Sequence, residues 1–220
     1  IAIIPARSNS KRIPNKNIVE FNGKPLIAWT IKAAKESGLF EKIIVSTDSS
    51  EIAKIAEEHG SNKSFIRKKY SDDYSDISQA TVYTLKNLGI AGFNTVVQLM
   101  PNCPLRTAND ISISLENFFE KKSLTQISCF KFGFMNPWWS LRKKEGKFFK
   151  LFPESEKIRS QDLDDLYCPS GSVWISDIEF LIKTGSFYNG KEDYFELSLK
   201  SSVDIDDYND LAFAKALLNS

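Results

Sequence analysis

Four cations crowd one short stretch of this 220-residue chain: Arg7, Lys11, Arg12 and Lys16 fall within ten residues. Ser8, Asn9, Ser10, Asn15 and Asn17 are interspersed among them, and Pro5 and Pro14 stiffen the run. Small polar residues let backbone N–H groups approach an anion, and the cations neutralise it. A triphosphate needs such a cradle; a solvated basic loop is the alternative, because charge clusters are common on surfaces. Neither the G-x-x-x-x-G-K-S/T nor the G-x-G-x-x-G phosphate signature is present. Near the other end of the chain, Asp204 and Asp206 occupy alternate positions. In an extended segment both face one side and can grip one hard cation, with magnesium the expected ion. Capping of the last helix by Asp206 or Asp207 is the alternative.

Between these ends lie further candidates. Met100-Pro101-Asn102-Cys103-Pro104-Leu105-Arg106-Thr107 follows an apolar run and is either a ligand loop or a turn shaped by two prolines. Cys103 has no base near it in sequence and does not read as a nucleophile. Arg159-Ser160-Gln161-Asp162-Leu163 offers an arginine fork suited to a carboxylate, or a plain surface turn. Asp72, Asp73, Ser75, Asp76 and Ser78 cluster ahead of a helix.

These residues need a scaffold. Residues 1–5 read as a buried strand entering a loop, and Lys42–Thr47 and Thr95–Met100 as two more strands, with a weaker one near Ser64–Ile66. Helical spacing over Leu26, Ile27, Ile31, Ala34 and Leu39 predicts a helix opened by Gly23-Lys24-Pro25 and closed by Gly38. Further helices are predicted after Asp48–Ser50, over about 75–88, and from about Thr107 to Lys121. Strand–helix alternation of this kind predicts a mostly parallel sheet covered on both faces, hence three layers, with ligands beyond the carboxyl ends of the strands. The loops to inspect are 5–24, 47–50, 67–78 and 100–107. Residues 125–152, rich in Phe, Trp and Lys, predict a strand, an excursion and a hairpin turning at Glu145-Gly146, a plausible arm for a partner subunit. Ser202–Leu218 predicts a short strand, an acidic turn and a terminal helix.

Bulk properties exclude several classes. With 29 basic and 28 acidic residues, the chain lacks the basic excess of a nucleic-acid or anionic-membrane binder. One histidine, His59, and three scattered cysteines leave no material for a zinc site, a Ser-His triad or a disulfide framework. No signal peptide or bilayer-spanning apolar run is visible, so the cytoplasm is the expected location. The length suits one α/β domain over 1–220, and the start at Ile1 without Met predicts that a few residues precede it.

The run Pro5-Ala6-Arg7-Ser8-Asn9-Ser10-Lys11-Arg12-Ile13-Pro14-Asn15-Lys16-Asn17 closely resembles the signature of the acylneuraminate cytidylyltransferases, the CMP-sialic acid synthetases. Gly23-Lys24-Pro25-Leu26-Ile27 and Ile44-Val45-Ser46-Thr47-Asp48 also fit, and the resemblance extends to the final helix. It implies a Rossmann-like nucleotidyltransferase fold with a small dimerisation arm at about 130–160, a homodimer, and CMP transfer from CTP to the anomeric hydroxyl of a sialic-acid-like (nonulosonic) sugar acid. By the same resemblance, Arg7, Lys11 and Lys16 hold the CTP phosphates. Lys16 stabilises the charge of departing pyrophosphate, and Ser8, Asn17, Arg67 and Ser78 meet the nucleotide. Asp204 and Asp206 become the magnesium pair, leaving the cap to Asp207.

On the acceptor side the resemblance implies Asn102, Arg106, Arg159, Gln161, Trp174, Phe187 and Tyr188 as contacts, although Phe187 and Tyr188 also suit a core. Where relatives carry the glutamine that helps recognise N-acetylneuraminate, this chain has Met100, and a thioether lacks the amide's donor and acceptor. Ser170-Gly171 stands where relatives have Asn-Gly, and Trp174 where they often have Tyr. The Arg159–Leu163 run looks like the pseudaminic acid branch, whereas the Pro101–Arg106 loop looks like the sialic or legionaminic branch. Rival readings are a cytidylyltransferase for the eight-carbon acid of lipopolysaccharide, a sugar 1-phosphate nucleotidyltransferase lacking its Gly-rich loop, and a non-catalytic nucleotide-binding or scaffold protein on the same fold.

Overall fold

The computed structural model describes residues 1–72, 75–89 and 92–218. In chain order the elements are β1 (Ala2–Ala6), β2 (Glu20–Phe21), β3 (Lys24–Pro25), α1 (Leu26–Ser37), β4 (Ile43–Thr47), α2 (Ser50–Glu58), β5 (Phe65–Ile66), α3 (Ile77–Asn87), β6 (Thr95–Gln98) and α4 (Ala108–Glu120). They continue with β7 (Thr125–Lys131), β8 (Leu141–Lys144), β9 (Lys147–Lys150), β10 (Tyr167–Asp177), α5 (Ile178–Thr184), β11 (Asp193–Glu196) and α6 (Tyr208–Leu218).

Seven strands form one sheet in the order β11-β7-β10-β6-β1-β4-β5. Strands β6, β1, β4 and β5 run parallel, and β10 alone runs against its neighbours β6 and β7. The central strands β1 and β4 are buried along their whole length, so β1 is apolar throughout and β4 opens Ile43-Ile44-Val45 before its buried Ser46 and Thr47, without polar–apolar alternation. Ala2 and Ile4 of β1 face a core shared with α1, α2 and α4, whereas Ile3 faces one shared with α3 and α5. The result is the expected three-layer, mostly parallel mixed sheet.

Local signals place the helix ends. The Ser49 side chain accepts from Ile52 N to cap α2, Thr107 and Asp110 form a capping box on α4, and Gly38 at φ 66° closes α1. Leu39, expected on the buried stripe of α1, lies beyond that stop and is exposed. The Asp76 side chain accepts from Ser78 N, so α3 starts at Ile77 rather than near 75. The short strand expected before the acidic turn does not form: the amide of Ile205 donates to the Asn102 carbonyl instead of to a ladder partner.

Between β7 and β10 the chain leaves the sheet for residues 132–166, with the β8–β9 hairpin turning at Glu145-Gly146. Phe134, Leu141 and Phe148 on this excursion are exposed at 88%, 55% and 65%. No helix among the described residues is long and apolar enough to cross a membrane.

Candidate active site

Parallel strands deliver their following loops to one side of the sheet. Loops after β1, β5 and β6 and the acidic turn before α6 together wall a cleft of about 560 Å³. Arg7, Lys11, Arg12, Lys16 and Asn17 line it from the first loop, Arg67, Tyr70, Asp72 and Ser75 from the second, and Met100, Pro101 and Asn102 from the third. Asp204 and Asp206 close the remaining side.

Uncharged residues hold the first loop in shape. Ser8 donates through N and Oγ to the two oxygens of Asp48 at 2.8 and 2.9 Å, tying the loop to the end of β4. The buried Asn17 amide donates to the Arg7 carbonyl at 2.8 Å, and Asn15 turns the backbone at φ 52°. Ser8 and Asn17 therefore shape the backbone, and the cations are what the loop presents. Arg7 reaches across to donate to the Asp72 carbonyl at 2.9 Å. Arg67 is 4% exposed and donates to Ser46 Oγ at 3.4 Å. Burial pushes its pKa down, Asp48 opposes that, and nearby Arg7 adds to it.

The acidic turn meets this loop directly. Lys16 Nζ lies 2.8 Å from Asp206 Oδ1 and Arg12 Nη2 lies 2.5 Å from Asp206 Oδ2. Partial burial alone would raise the Asp206 carboxyl, but the bond from Lys16 and the two cations bring it below its ordinary value. Asp204 opens on the cleft yet is crowded by protein, and that crowding together with Asp206 lifts its carboxyl to about 6. The Asn102 amide donates to Asp204 Oδ1. Two carboxylates that repel each other beside a cationic loop suit a divalent cation shared with phosphate oxygens. Among the described residues no group of three acidic, His or Cys side chains is placed to hold a metal ion.

Comparison with known proteins fits this geometry. A pseudaminic acid cytidylyltransferase of Campylobacter jejuni is 31% identical over 99% of this chain and 95% of its own length. The family profile described as Cytidylyltransferase matches residues 1–134, which include the whole basic loop. The chain belongs to the cytidylyltransferase family. A CMP-N,N'-diacetyllegionaminic acid synthase of Legionella pneumophila is 32% identical over 99% of this chain and 95% of its own length. A solved CMP:2-keto-3-deoxy-manno-octonic acid synthetase complexed with CTP superposes with TM-score 0.74, covering 100% of this chain and 98% of its own, at 16% identity. That likeness establishes the nucleotidyltransferase fold.

Not every expected contact of this cytidylyltransferase reaches the cleft. Ser78 is fully buried, and its Oγ accepts from Phe187 N, so Ser75, three residues earlier in the loop before α3, takes the place at the wall. Arg106 is 3% exposed and donates to the Ser172 carbonyl at 2.6 Å, Thr30 Oγ1 at 2.7 Å and the Met100 carbonyl at 3.3 Å. It clamps the loop to α1 and β10 from behind. Trp174 and Phe187 are core residues with ring centroids 5.3 Å apart, and Tyr188 packs on Trp174 with its own edge exposed. Arg159 pairs with Asp162 inside its own exposed turn, beside Gln161, on the 132–166 excursion. Asp73, part of the acidic cluster, lies outside the described residues. Burial pushes the Cys103 thiol far up, in keeping with an inert side chain.

Arg12, Tyr70 and Ser75 are polar cleft residues that were not among the expected contacts. Arg12 stood in the basic run, but its partner Asp206 is 194 residues away. Tyr70 carried no chemical signal beyond its position after β5.

Proposed function

We propose that this cytidylyltransferase moves CMP from CTP to the anomeric hydroxyl of a nonulosonic, sialic-acid-like sugar acid and releases pyrophosphate. One observation carries the reading: a cationic loop and an acidic turn 190 residues apart meet in one cleft at Lys16–Asp206. Arg7, Lys11 and Lys16 neutralise the triphosphate, with Arg12 beside them. The sugar oxygen forms its bond to the α-phosphorus as the bond from that phosphorus to the β-phosphate oxygen breaks, and the hydroxyl proton passes to solvent. Lys16 stabilises the charge that grows on the departing pyrophosphate. Such transfers depend mainly on positioning and electrostatic stabilisation, which a preset cationic loop supplies. Ser8 and Asn17 hold that loop, and Arg67 stands where the nucleoside enters. Asp204 and Asp206 would hold magnesium, which when bound neutralises phosphate charge and links nucleotide to protein.

The acceptor class follows the relatives, whose names specify pseudaminic and N,N'-diacetyllegionaminic acids. Pyrophosphate release from CTP in the presence of pseudaminic, legionaminic, N-acetylneuraminic or eight-carbon acids tests it. Turnover with a nine-carbon acid is expected, and turnover with the eight-carbon acid alone would replace this reading by its nearest rival.

Met100 bears on the choice among nine-carbon acids. It lines the cleft against Gly171, where an added Cβ would come within 2.8 Å of Met100 Cγ. The neighbouring Gln98 is turned inward, bonded to Thr81 at 2.5 Å and to Met100 Sδ at 3.8 Å, and offers the cleft no amide. Met100→Gln is expected to raise kcat/KM for N-acetylneuraminic acid about tenfold relative to the unaltered chain, because an amide there can pair with a polar acceptor group. An unchanged acceptor ranking would remove Met100 from the acceptor site.

The same reading includes a cytoplasmic homodimer whose 132–166 excursion carries Arg159 and Gln161 to the other copy. The exposed Phe134 and Phe148 support it, since large apolar side chains gathered on one projection mark an interaction surface. Phe134→Ser combined with Phe148→Ser is expected to halve the mass measured by light scattering; a full dimer mass would contradict the arm's role.

A further inference from the structure

We infer that Asn102 is a positioning residue that sets the Asp204 carboxylate for its cation and couples the loop after β6 to the phosphate site. The inference rests on the magnesium site proposed above.

Asn102 is 6% exposed. From this one residue three bonds run to the segment 204–205. Its side-chain amide donates to Asp204 Oδ1 and, at 3.4 Å, to the Ile205 carbonyl, while its own carbonyl accepts from Ile205 N at 2.9 Å. That segment has no sheet ladder to hold it. Asn102 and the burial of Ile205 against Ile13, Leu105 and Val203 do so instead. The far side of the turn is fixed separately: Asp210 accepts from the amides of Asp206 and Asp207, and Asp207 accepts from Asn209 N and Asp210 N. Asp204 thus sits at the end of the turn where, among the described residues, Asn102 alone makes a side-chain hydrogen bond to it.

The strut is itself rigid. Arg106 holds the Met100 carbonyl two residues before Asn102, and Thr30 Oγ1 donates to the same carbonyl at 3.3 Å. A donor fixed this way occupies one carboxylate oxygen and leaves Asp204 Oδ2 for a cation. The orientation of the amide is informative. Asn102 Oδ1 is buried without a hydrogen-bond partner among the described residues. The flipped amide would set that oxygen against the Asp204 carboxylate, so the orphaned atom is what remains once Nδ2 is committed to Asp204. An outer partner of this kind governs the orientation of a metal-ligating carboxylate and with it the metal affinity.

Manganese serves as the probe, with CTP at the protein concentration and no acceptor, and the free ion is followed by its paramagnetic resonance signal. Asn102→Ala and the space-filling Asn102→Leu are expected to weaken Mn²⁺ binding about tenfold. Melting temperature should fall only by about 2–4 °C, as expected for the lost side-chain bonding, and metal-free CTP affinity should stay near that of the unaltered chain, which loss of folding would not permit. Asp204→Asn, run in parallel, should weaken Mn²⁺ at least as much. Full Mn²⁺ affinity in both Asn102 variants, with weak binding in Asp204→Asn, overturns the positioning role and leaves the cation site standing. Full affinity in Asp204→Asn overturns the cation site and this inference with it.

Discussion

Lys16→Ala is expected to lower kcat for pyrophosphate release from CTP about a thousandfold while the protein still folds. The Lys16 side chain is 15% exposed, and its ammonium aims into the cleft at Asp206 from a loop whose backbone is already fixed by Ser8, Asn17 and Asn15. A preset charge in a partly desolvated site stabilises developing negative charge with little reorganisation, and removing one such group typically costs about 10²–10³ in rate. Fold stability should change little, because Asp206 keeps Arg12 at 2.5 Å and is itself partly exposed, where a lost ion pair is worth roughly 0–1 kcal/mol. Initial rates at saturating CTP, beside a thermal melt, measure both effects. Turnover near that of the unaltered chain would remove Lys16 from the reaction.

Asp204→Asn is expected to separate stability from activity. The folded protein lifts the Asp204 carboxyl from its ordinary 3.8 to about 6, through crowding first and the nearby Asp206 second. Between those values the folded chain holds a proton that the unfolded chain has released. This group's contribution is therefore fully present below about 4 and is lost as pH rises through about 6. At pH 7 the ionised carboxylate costs the cation-free fold on the order of 1 kcal/mol, after allowance for the solvent that reaches an exposed group. Asparagine keeps the shape and an acceptor for the Asn102 amide but carries no charge. The variant should melt about 2–4 °C higher at pH 7, with the gain shrinking toward pH 4. Its turnover should fall about a hundredfold or more, because a cation ligand is lost. A variant that melts lower at pH 7, or keeps full turnover, would contradict the account of this carboxylate.

Much of this was legible from residue types. Mostly apolar, β-branched runs at residues 1–5, 42–47 and 95–100 revealed strands, because strands buried on both faces are predominantly apolar. The basic loop and the Asp204/Asp206 pair drew attention as closely spaced charge, but residue types alone left a solvated loop and a helix cap open, and the family resemblance supplied their expected roles. What escaped was set by tertiary partners. Arg106 and Arg159 look alike as arginines beside turns, yet one is buried and bonded to Thr30, Met100 and Ser172 and the other lies on an exposed arm. Ser75 and Ser78 are three residues apart, and the helix start at Asp76 leaves Ser75 in the loop at the cleft and buries Ser78. Asn102 was expected as an acceptor contact, and only the fold brings Asp204 against it from 102 positions away.

The central claim is chemical, and one measurement addresses it directly: incubate the protein with CTP, magnesium and a nonulosonic acid, then quantify pyrophosphate and the CMP-linked sugar by mass spectrometry. Equal amounts of the two products, absent without acceptor and nearly absent in Lys16→Ala, are the predicted result. Bound CTP with no pyrophosphate across pseudaminic, legionaminic and N-acetylneuraminic acids would contradict the proposed transfer and favour a nucleotide-binding protein that retains the fold without the reaction.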